Sequence, residues 1–454
     1  MSQLQPIKAR IFAVFQNLGT LALLAIAFPF NCIVVLTSLL WNLFSRPFQQ
    51  QVVFNPNSKN ILIAGSRMTK ALQLARSFHA AGHRAILVDT HKYWLAGNQF
   101  SNAVAASYTV PDPSKDLEGY VKALYAIAIK EKIDFFIPVA IFAVINYDSQ
   151  GKPPLPDDVE FFHFDADVTK MLDDKFAFAE RARSYSLSVP KSFLITDPEQ
   201  VINFDFSNEK NKYILKSIPY DQIRRLDLTK LPCDTPAQTA EFVKSLPISP
   251  EKPWIMQEFI SGKEYCTHST VRDGKTTMYC CCESSAFQVN YENVDKPKIM
   301  EWATHFAKEL GLTGQLSFDF IEAQDGTPYA IECNPRTHSA ITMFYNHPGV
   351  ADAYVDRDVA SNASTIYPLQ PLTDSKPTYW LYHELWRLNE VRSLKQLQTW
   401  VRNILRGKDA IFEVSDPLPF LMVHHWQIPL LVLDNLFRLK GWIRIDFNIG
   451  ELIE

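Results

Sequence analysis

The chain has 454 residues, 47% of them hydrophobic and 21% charged, so it has the composition of a folded protein with two or three domains. Its net charge of -4 and the absence of a long basic run argue against a surface for nucleic acid. Seven cysteines, an odd number in so long a chain, argue against a disulfide framework and favour a reducing compartment.

The first predicted element, in residues 1–45, is an apolar helix. Residues 18–41 carry no charge and as a helix would extend about 36 Å at ~1.5 Å per residue, enough to cross a hydrocarbon core of about 30 Å. Three interpretations stay open. They are a signal peptide, a membrane anchor that spans the bilayer or lies in its interface, and a helix packed on the apolar stretch 420–439. Basic residues flank both sides, so charge predicts no orientation.

The polar segment 46–58, with its prolines, glutamines and asparagines, is typical of a linker. Residues 59–156 then alternate between strands and helices, which predicts a parallel sheet with strands at 60–64, 84–88 and 134–139 and helices at 69–81 and 117–132.

Ligands of such sheets bind at the carboxyl ends of the strands. This places Ser66, Arg67 and the loop 140–143 near a site. Ser66, Arg67 and Lys70 also open a helix N-terminus, where a substrate anion is stabilised, and capping of that helix is the alternative role.

Residues 157–349 form the next predicted domain, and residues 350–454 form a C-terminal extension without predicted chemistry. The domain opens with a helix at 167–184 and ends with two strands, 316–321 and 329–333, that are joined by the turn Asp325-Gly326. The adjacent Cys280, Cys281 and Cys282 lie on a predicted strand. Alternation turns the middle thiol away from its neighbours, so we expect no metal site there.

The two final strands carry the residues most indicative of chemistry. Asp319 lies on the first strand, and Glu332 and Asn334 lie two residues apart on the second, so all three share one face of the hairpin. Oxygen ligands of this kind suit Mg²⁺, which takes its remaining ligands from water and phosphate. Arg336 follows with a planar guanidinium that suits a phosphate or carboxylate. The alternative is that both carboxylates are merely solvated, but each lies in an apolar strand where an unpaired charge is costly.

The segment GTPYAIECNPR, with an aspartate thirteen residues before its glutamate, resembles the metal-binding end of ATP-grasp enzymes. The resemblance implies an ATP-grasp fold with an N-terminal Rossmann-like domain, and it implies ATP and Mg²⁺ as cofactors. It also implies that Lys175 and Lys216 contact ATP phosphates. The adenine would contact the backbone of a hinge strand, and the ribose would contact an acid. The nucleotide-binding residues that the resemblance implies are Gln257, Glu258, Phe259, Ile260 and Glu264.

The chain departs from that family in one segment. Many ATP-grasp proteins have a glycine-rich loop after the second lysine, whereas residues 217–232 contain no glycine and include Arg224 and Arg225. We expect either contact with phosphate through these guanidiniums or a role as a lid.

A closer resemblance is to the cyanobacterial mycosporine-glycine synthases, ATP-grasp enzymes that join glycine to 4-deoxygadusol on the route to UV-absorbing mycosporines. It extends nearly end to end and includes FHFDADVTKMLDDKFAF, KLPCDTP, KSLPISPEKPWIMQEF and ECNPRTHSAITMFYNHPGV. The implied small-molecule partners are 4-deoxygadusol and glycine, and the implied location is the cytoplasm, with membrane contact through residues 18–41 where the helix is an anchor. No oligomeric state is predicted.

The resemblance also implies roles for individual residues. The catalytic set is Lys216 and Arg336, which would balance charge on the transferred phosphoryl group, and His338, a candidate general base for which a structural hydrogen bond is the alternative. Arg336, His338 and Ser339 would join Ser66, Arg67 and Lys70 in binding substrate.

Two other functions remain open. One is an ATP-grasp carboxylate–amine ligase that acts on a different acid through an acyl phosphate. The other is a membrane-attached nucleotide-binding protein with an inactive site, which predicts the loss of a metal ligand or phosphate lysine, and here all of these residues are present.

Overall fold

The computed structural model of the protein describes residues 4–45, 55–139, 155–218, 227–284, 290–357 and 368–453. The chain divides into two compact units. The first comprises Met1–His163, Phe287–Asn293 and Arg336–Glu454, and the second comprises Phe164–Ala286 and Val294–Pro335. Most of the predicted linker, the loop 140–143 and the arginines at 224 and 225 lie outside the described residues.

The first unit begins with α1 (Leu4–Ser45), a single helix long and apolar enough to cross a membrane. A parallel sheet of order β3-β2-β1-β4-β5 follows, as the strand–helix alternation predicts. Its elements in chain order are β1 (Asn60–Ala64), α2 (Thr69–Ala80), β2 (Arg84–Thr90), β3 (Val104–Val110), α3 (Leu117–Glu131), β4 (Phe135–Pro138) and β5 (Glu160–Phe161).

The central strands form because their runs of apolar residues are buried on both faces, the pattern of a parallel sheet. Gly82 ends the α2 region at φ 81°, a left-handed conformation that only glycine adopts at little cost. The core lies between the sheet and α3, around Leu62, Ile86, Leu124 and Phe136. The edge strand β3 was missing from the sequence prediction. Its residues are mostly half-exposed, so it lacks the apolar run that marks β1.

The second unit contains a three-stranded sheet of order β6-β8-β7 and a four-stranded antiparallel sheet of order β10-β9-β12-β13. Its elements are α4 (Ala166–Asp173), α5 (Lys175–Ser184), β6 (Ser192–Ile195), α6 (Pro198–Ile202), β7 (Tyr213–Ser217), α7 (Pro236–Lys244), β8 (Trp254–Glu258), β9 (Gly262–Arg272), β10 (Lys275–Glu283), β11 (Asn290–Tyr291, in the first unit), α8 (Pro297–Leu310), β12 (Gly314–Ala323) and β13 (Pro328–Asn334).

The predicted helix 167–184 is in fact two helices, because Asp174 breaks it. Asp174 has extended backbone angles and its carboxylate accepts hydrogen bonds from the amides of Phe176 and Ala177, so it caps α5. Lys175 therefore occupies the first position of a helix.

The rest of the first unit contains a 3₁₀ helix at Ser339–Phe344 and a set of short elements after residue 350. They are α9 (Val350–Val355), β14 (Thr378–Tyr379), α10 (Leu381–Arg387), α11 (Leu394–Arg406), β15 (Lys408–Asp409), α12 (Leu418–Met422), a π-helical turn at Val423–Gln427, α13 (Ile428–Phe437), β16 (Arg444–Asp446) and β17 (Glu451–Ile453). The observed architecture confirms the predicted mixed α/β fold class.

Candidate active site

The antiparallel sheet of the second unit has one apolar face and one polar face. Phe318 and Phe320 of β12 and Cys333 of β13 lie in the core, whereas the residues between them point to the opposite face. The predicted metal ligands lie on that opposite face. Asp319 is directly across from Glu332, and Asn334 is across from Ser317, two residues away.

Directly opposed residues of antiparallel strands have Cβ atoms about 4.5–5.5 Å apart, so Asp319 and Glu332 form a carboxylate pair. Across the described residues, no three His, Cys, Asp or Glu side chains converge as a ready-made metal site. This fits a set of two carboxylates and one amide, which for Mg²⁺ would be completed by water and phosphate.

The two predicted phosphate lysines lie near this carboxylate pair. Lys175 places its Nζ 3.3 Å from Glu332 Oε1. The pKa of Lys216 is lowered, first by burial, then by the charge of Lys175, while Glu332, Glu264 and Asp319 oppose the shift. Residues from α5, β7, β9 and the hairpin therefore act on one another within a single unit. This arrangement suits a polyanion held by lysines and a divalent ion held by carboxylates.

The hinge after β8 is only partly available to a ligand. Gln257 lies within the β8 ladder between β6 and β7. The Glu258 amide donates to the Lys191 carbonyl at 2.8 Å, and the Phe259 amide donates to the Lys212 carbonyl at 2.7 Å. Hydrogen bonds to adenine are therefore left to Ile260 and to the carbonyl groups of this segment.

The two hinge acids have different surroundings. Glu258 accepts from the Lys191 amide at 3.0 Å and from the Asn211 side chain at 2.7 Å, so its carboxylate braces the three-stranded sheet. Glu264 is exposed at the start of β9, and Ser284 donates to it at 3.2 Å. Of the two, Glu264 is the acid that remains open to a ribose hydroxyl.

Two residues of the polar face were not predicted. Cys266 is in register with Asp319, and its thiol lies 3.5 Å from that of Cys282. Ser317 is in register with Asn334, and its buried Oγ has no hydrogen-bond partner in the described part of the chain. Because residues two apart on a strand share a face, the position of Asp319 was enough to predict that Ser317 also lies on the polar face.

The predicted substrate residues that open α2 lie in the first unit. The Arg67 guanidinium bonds Asp89 at 2.7 Å and Glu451 at 3.1 Å and stacks over Tyr93, 4.1 Å from the ring centre. Ser66 donates to Asp89 at 3.3 Å. Asp89 thus joins the loop after β1 to the end of β2. These contacts use most of the hydrogen-bonding capacity of the Arg67 guanidinium, which gives this residue a structural role.

Lys70 is the buried cation of this group. Its Nζ donates to the Thr337 carbonyl at 2.7 Å, and its pKa is lowered well below the usual value by burial and by the charges of Arg336 and Arg67. Arg336 and Arg67 are therefore both close enough to Lys70 to disfavour its charged form. Because Arg67 is already paired with Asp89 and Glu451, Lys70 and Arg336 are the remaining candidates in this group for contact with an anionic ligand group.

His338 and Ser339 begin the 3₁₀ helix at Ser339–Phe344. His338 caps it, since Nδ1 accepts the Ala340 amide at 3.2 Å, and its ring packs edge-on against Tyr291. An accepting Nδ1 assigns the proton of the neutral ring to Nε2, which leaves no lone pair for a substrate amine. Ser339 is buried. The geometry therefore favours the structural role of His338.

We expect His338→Asn to keep kcat/KM within about threefold of wild type, since asparagine can cap the helix as well, whereas His338→Ala loses about 1 kcal/mol of unfolding free energy. Initial rates and urea unfolding of both variants measure this. A general base would instead cost each variant about 10²–10⁴ in rate, and a loss of that size in the asparagine variant would contradict the structural role.

Comparison with known proteins identifies a domain family that covers most of the second unit. The ATP-grasp domain family matches residues 172–340. No curated protein matches the chain. An N5-carboxyaminoimidazole synthetase from Staphylococcus aureus, solved with ADP, is 12% identical, and the match covers 63% of this chain and 73% of that one with a TM-score of 0.47.

Two further solved structures match this chain at similarly low sequence identity. A biotin carboxylase from Campylobacter jejuni is 17% identical over 66% of this chain and 73% of that one, with a TM-score of 0.48. An L-amino acid ligase from Bacillus licheniformis is 15% identical over 65% and 70%, with a TM-score of 0.43. At such identities a likeness does not extend to substrates. The match to the ATP-grasp domain family shows that the chain contains an ATP-grasp domain at residues 172–340, a range that includes both predicted phosphate lysines and all three predicted metal ligands.

Proposed function

We propose that the protein is an ATP-dependent ligase that joins glycine to 4-deoxygadusol and forms mycosporine-glycine. The observation that supports ATP-dependent chemistry is the proximity of two lysines to two carboxylates: Lys175 contacts Glu332, Glu332 lies across from Asp319, and the charges of all three act on the pKa of Lys216. The identity of the acceptor rests on the sequence resemblance of residues that span both units.

The proposed acceptor has no carboxyl group, but its enolised diketone is a vinylogous acid. Its enolate oxygen bonds to the γ-phosphorus of ATP while the bond from that phosphorus to the β,γ-bridging oxygen breaks, which releases ADP and leaves an enol phosphate. The glycine amine then adds to the phosphorylated carbon and loses a proton, and inorganic phosphate leaves with the former enol oxygen. Such transfers depend mainly on positioning and charge stabilisation.

The chain would supply that positioning through fixed charges. Lys175 begins a capped helix and Lys216 lies on β7, so regular structure fixes the backbone of both residues, and their amines would balance phosphate charge. Asp319, Glu332 and Asn334 would hold Mg²⁺, which when bound neutralises charge on the β- and γ-phosphates. In the first unit, Lys70 and Arg336 would hold an anionic oxygen of the acceptor or the glycine carboxylate. The cytoplasm, where ATP is available, is the proposed location.

The ultraviolet spectrum of the product separates this proposal from a carboxylate–amine ligase. With ATP, Mg²⁺, glycine and 4-deoxygadusol, we expect a new absorption band that grows in proportion to ADP. Omission of any one component should remove it. ADP release with other carboxylic acids and amines, but none with 4-deoxygadusol, would favour the alternative ligase.

The activation step has its own isotopic test. With ¹⁸O in the enol oxygen of 4-deoxygadusol, we expect a single turnover to place the label in inorganic phosphate, because that oxygen leaves with the phosphoryl group. Mass spectrometry of phosphate and product measures the transfer. Label retained in the product would exclude the enol-phosphate route even where the ligase activity is confirmed.

A further inference from the structure

Helix α1 presents two different surfaces. One stripe is buried, and its members recur at helical spacing: Ala13, Asn17, Leu24, Val35 and Ser38. Most large apolar side chains on the rest of the helix are exposed, among them Phe15 at 70%, Ile26 at 65% and Trp41 at 65%. Asn17 and Ser38 thus face the protein while most of the large apolar side chains face outward, which is the reverse of a helix at a water-facing surface.

Half-buried side chains beside this stripe are hydrogen bonded to the C-terminal part of the first unit, from near one end of the helix to near the other. Gln16 donates to the Trp442 carbonyl at 2.8 Å, Asn31 to Tyr382 at 2.7 Å, and Asn42 to the Val414 carbonyl at 2.6 Å. The helix rises about 39 Å between Gln16 and Asn42 at ~1.5 Å per residue. Its partner segment 414–442 runs in the opposite direction beside it.

This docking argues against a membrane-spanning orientation. If α1 crossed a bilayer while docked, the segment 414–442 would enter the hydrocarbon beside it, with His424, His425 and Gln427 near its middle and Asp434 and Arg438 toward one end. Ionisable side chains inside a bilayer are costly and rare. A helix in the plane of the interface keeps its docked side on the protein and its exposed apolar side toward lipid.

A second apolar surface belongs to α10 and α11. Leu394 is 79% exposed and Leu405 76%, and Val401 lies between them on the same side of α11. Trp386, 61% exposed, lies on α10 one turn after Tyr382, the residue that bonds Asn31 of α1. Tryptophan of this kind is typical of the level of lipid headgroups.

The charges around these surfaces are mainly positive. The only charged residues of α1 are Lys8 and Arg10, both exposed. On α11 all charged residues are basic and exposed: Lys395, Arg402 and Arg406. One acidic side chain, that of Glu292, lies 3.5 Å from Arg406. An apolar surface with a cationic border complements anionic headgroups, whereas two identical copies would bring like charges together.

We propose that the first unit binds the surface of an anionic bilayer through α1, α10 and α11, with α1 parallel to the membrane plane and not across it. The occupant of this surface is lipid. The proposal is independent of the reaction that the protein catalyses.

Flotation of the full-length protein with vesicles tests the surface. We expect recovery with phosphatidylcholine vesicles that contain 30 mol% phosphatidylglycerol, and at least tenfold weaker partition for Leu394→Glu with Leu405→Glu. Ile129→Glu with Tyr125→Glu is the matched control, since both residues are exposed apolar positions on α3, and it should bind as wild type does. Far-ultraviolet circular dichroism confirms that each variant is folded.

Quenching by lipids brominated at different acyl depths tests the orientation. Fluorescence gained in Ile26→Trp reports the middle of α1, and fluorescence lost in Trp41→Phe reports its end. We expect the same shallow depth for both positions. A spanning helix would place the middle roughly 10–15 Å deeper, given a rise of ~1.5 Å per residue, and that result would overturn the in-plane arrangement.

Analytical ultracentrifugation tests the alternative that a second copy of the chain covers this surface. A wild-type protein that stays out of the vesicle fraction and forms a dimer that Leu394→Glu with Leu405→Glu dissociates would replace lipid by a second copy. A wild-type monomer that does not bind vesicles would also overturn the proposal.

Discussion

Glu332→Gln combined with Asn334→Ala is expected to lower kcat by about 10³-fold or more, because it removes one charge and one oxygen from the proposed metal site that positions the transferred phosphoryl group. Both residues lie on the edge strand β13 and neither is fully buried, so the fold should remain. Steady-state rates across a magnesium titration and a thermal melt of the same preparation measure the two effects.

Asp325→Asn is the matched control for this variant. It makes the same loss of charge in the same hairpin, but at an exposed turn where Asp325 accepts the Thr327 amide, which asparagine also can do. We expect wild-type activity from it. If the double variant of Glu332 and Asn334 turned over at the wild-type rate, the metal site would lie elsewhere in the chain.

Lys216→Met should lower kcat by about 10²–10³-fold, comparable to the loss of one electrostatic donor in other active sites. Its unfolding free energy should be unchanged or slightly higher. The lowered pKa of Lys216 means that the folded protein binds this proton less tightly than the unfolded chain does. At neutral pH the charged lysine is therefore held against the preference of its surroundings, and methionine removes that cost while it keeps much of the volume.

Lys212→Met provides the comparison, because Lys212 precedes the same strand and is exposed. Steady-state rates and urea unfolding of both variants distinguish a role of Lys216 in phosphoryl transfer from a role in the fold. A Lys216 variant that is less stable by several kcal/mol but retains its rate once folded would show that this lysine supports the fold and does not take part in phosphoryl transfer.

The metal hairpin was predictable because it depends on local rules. The two-residue period of a strand places Glu332 and Asn334 on one face, and the turn at Asp325-Gly326 sets Asp319 directly across from Glu332, as the register confirms. The break at Asp174 was also local, yet it was missed, because an aspartate inside an apolar helical pattern can equally be an exposed helix residue or a cap. The choice depends on its amide hydrogen bonds.

The roles of the polar residues outside the hairpin depended on partners far along the chain. Arg67 was predicted as a substrate residue, but its guanidinium is engaged by Asp89 and Glu451, the second of which lies near the far end of the sequence. The carbonyl that Lys70 bonds belongs to Thr337, 267 residues away. No spacing rule gives contacts of this range.

The N-terminal helix shows most clearly how the two kinds of information divide. Its apolar composition and length alone predicted the helix that the structure has at Leu4–Ser45, and they left signal peptide, anchor and packed helix open because all three share that composition. The tertiary structure decided which side of the helix faces the protein, because Asn31 and Asn42 find hydrogen-bond partners only when distant C-terminal segments dock beside them. Hydrophobicity is a property of the residues, whereas the face it presents depends on what covers the remaining sides.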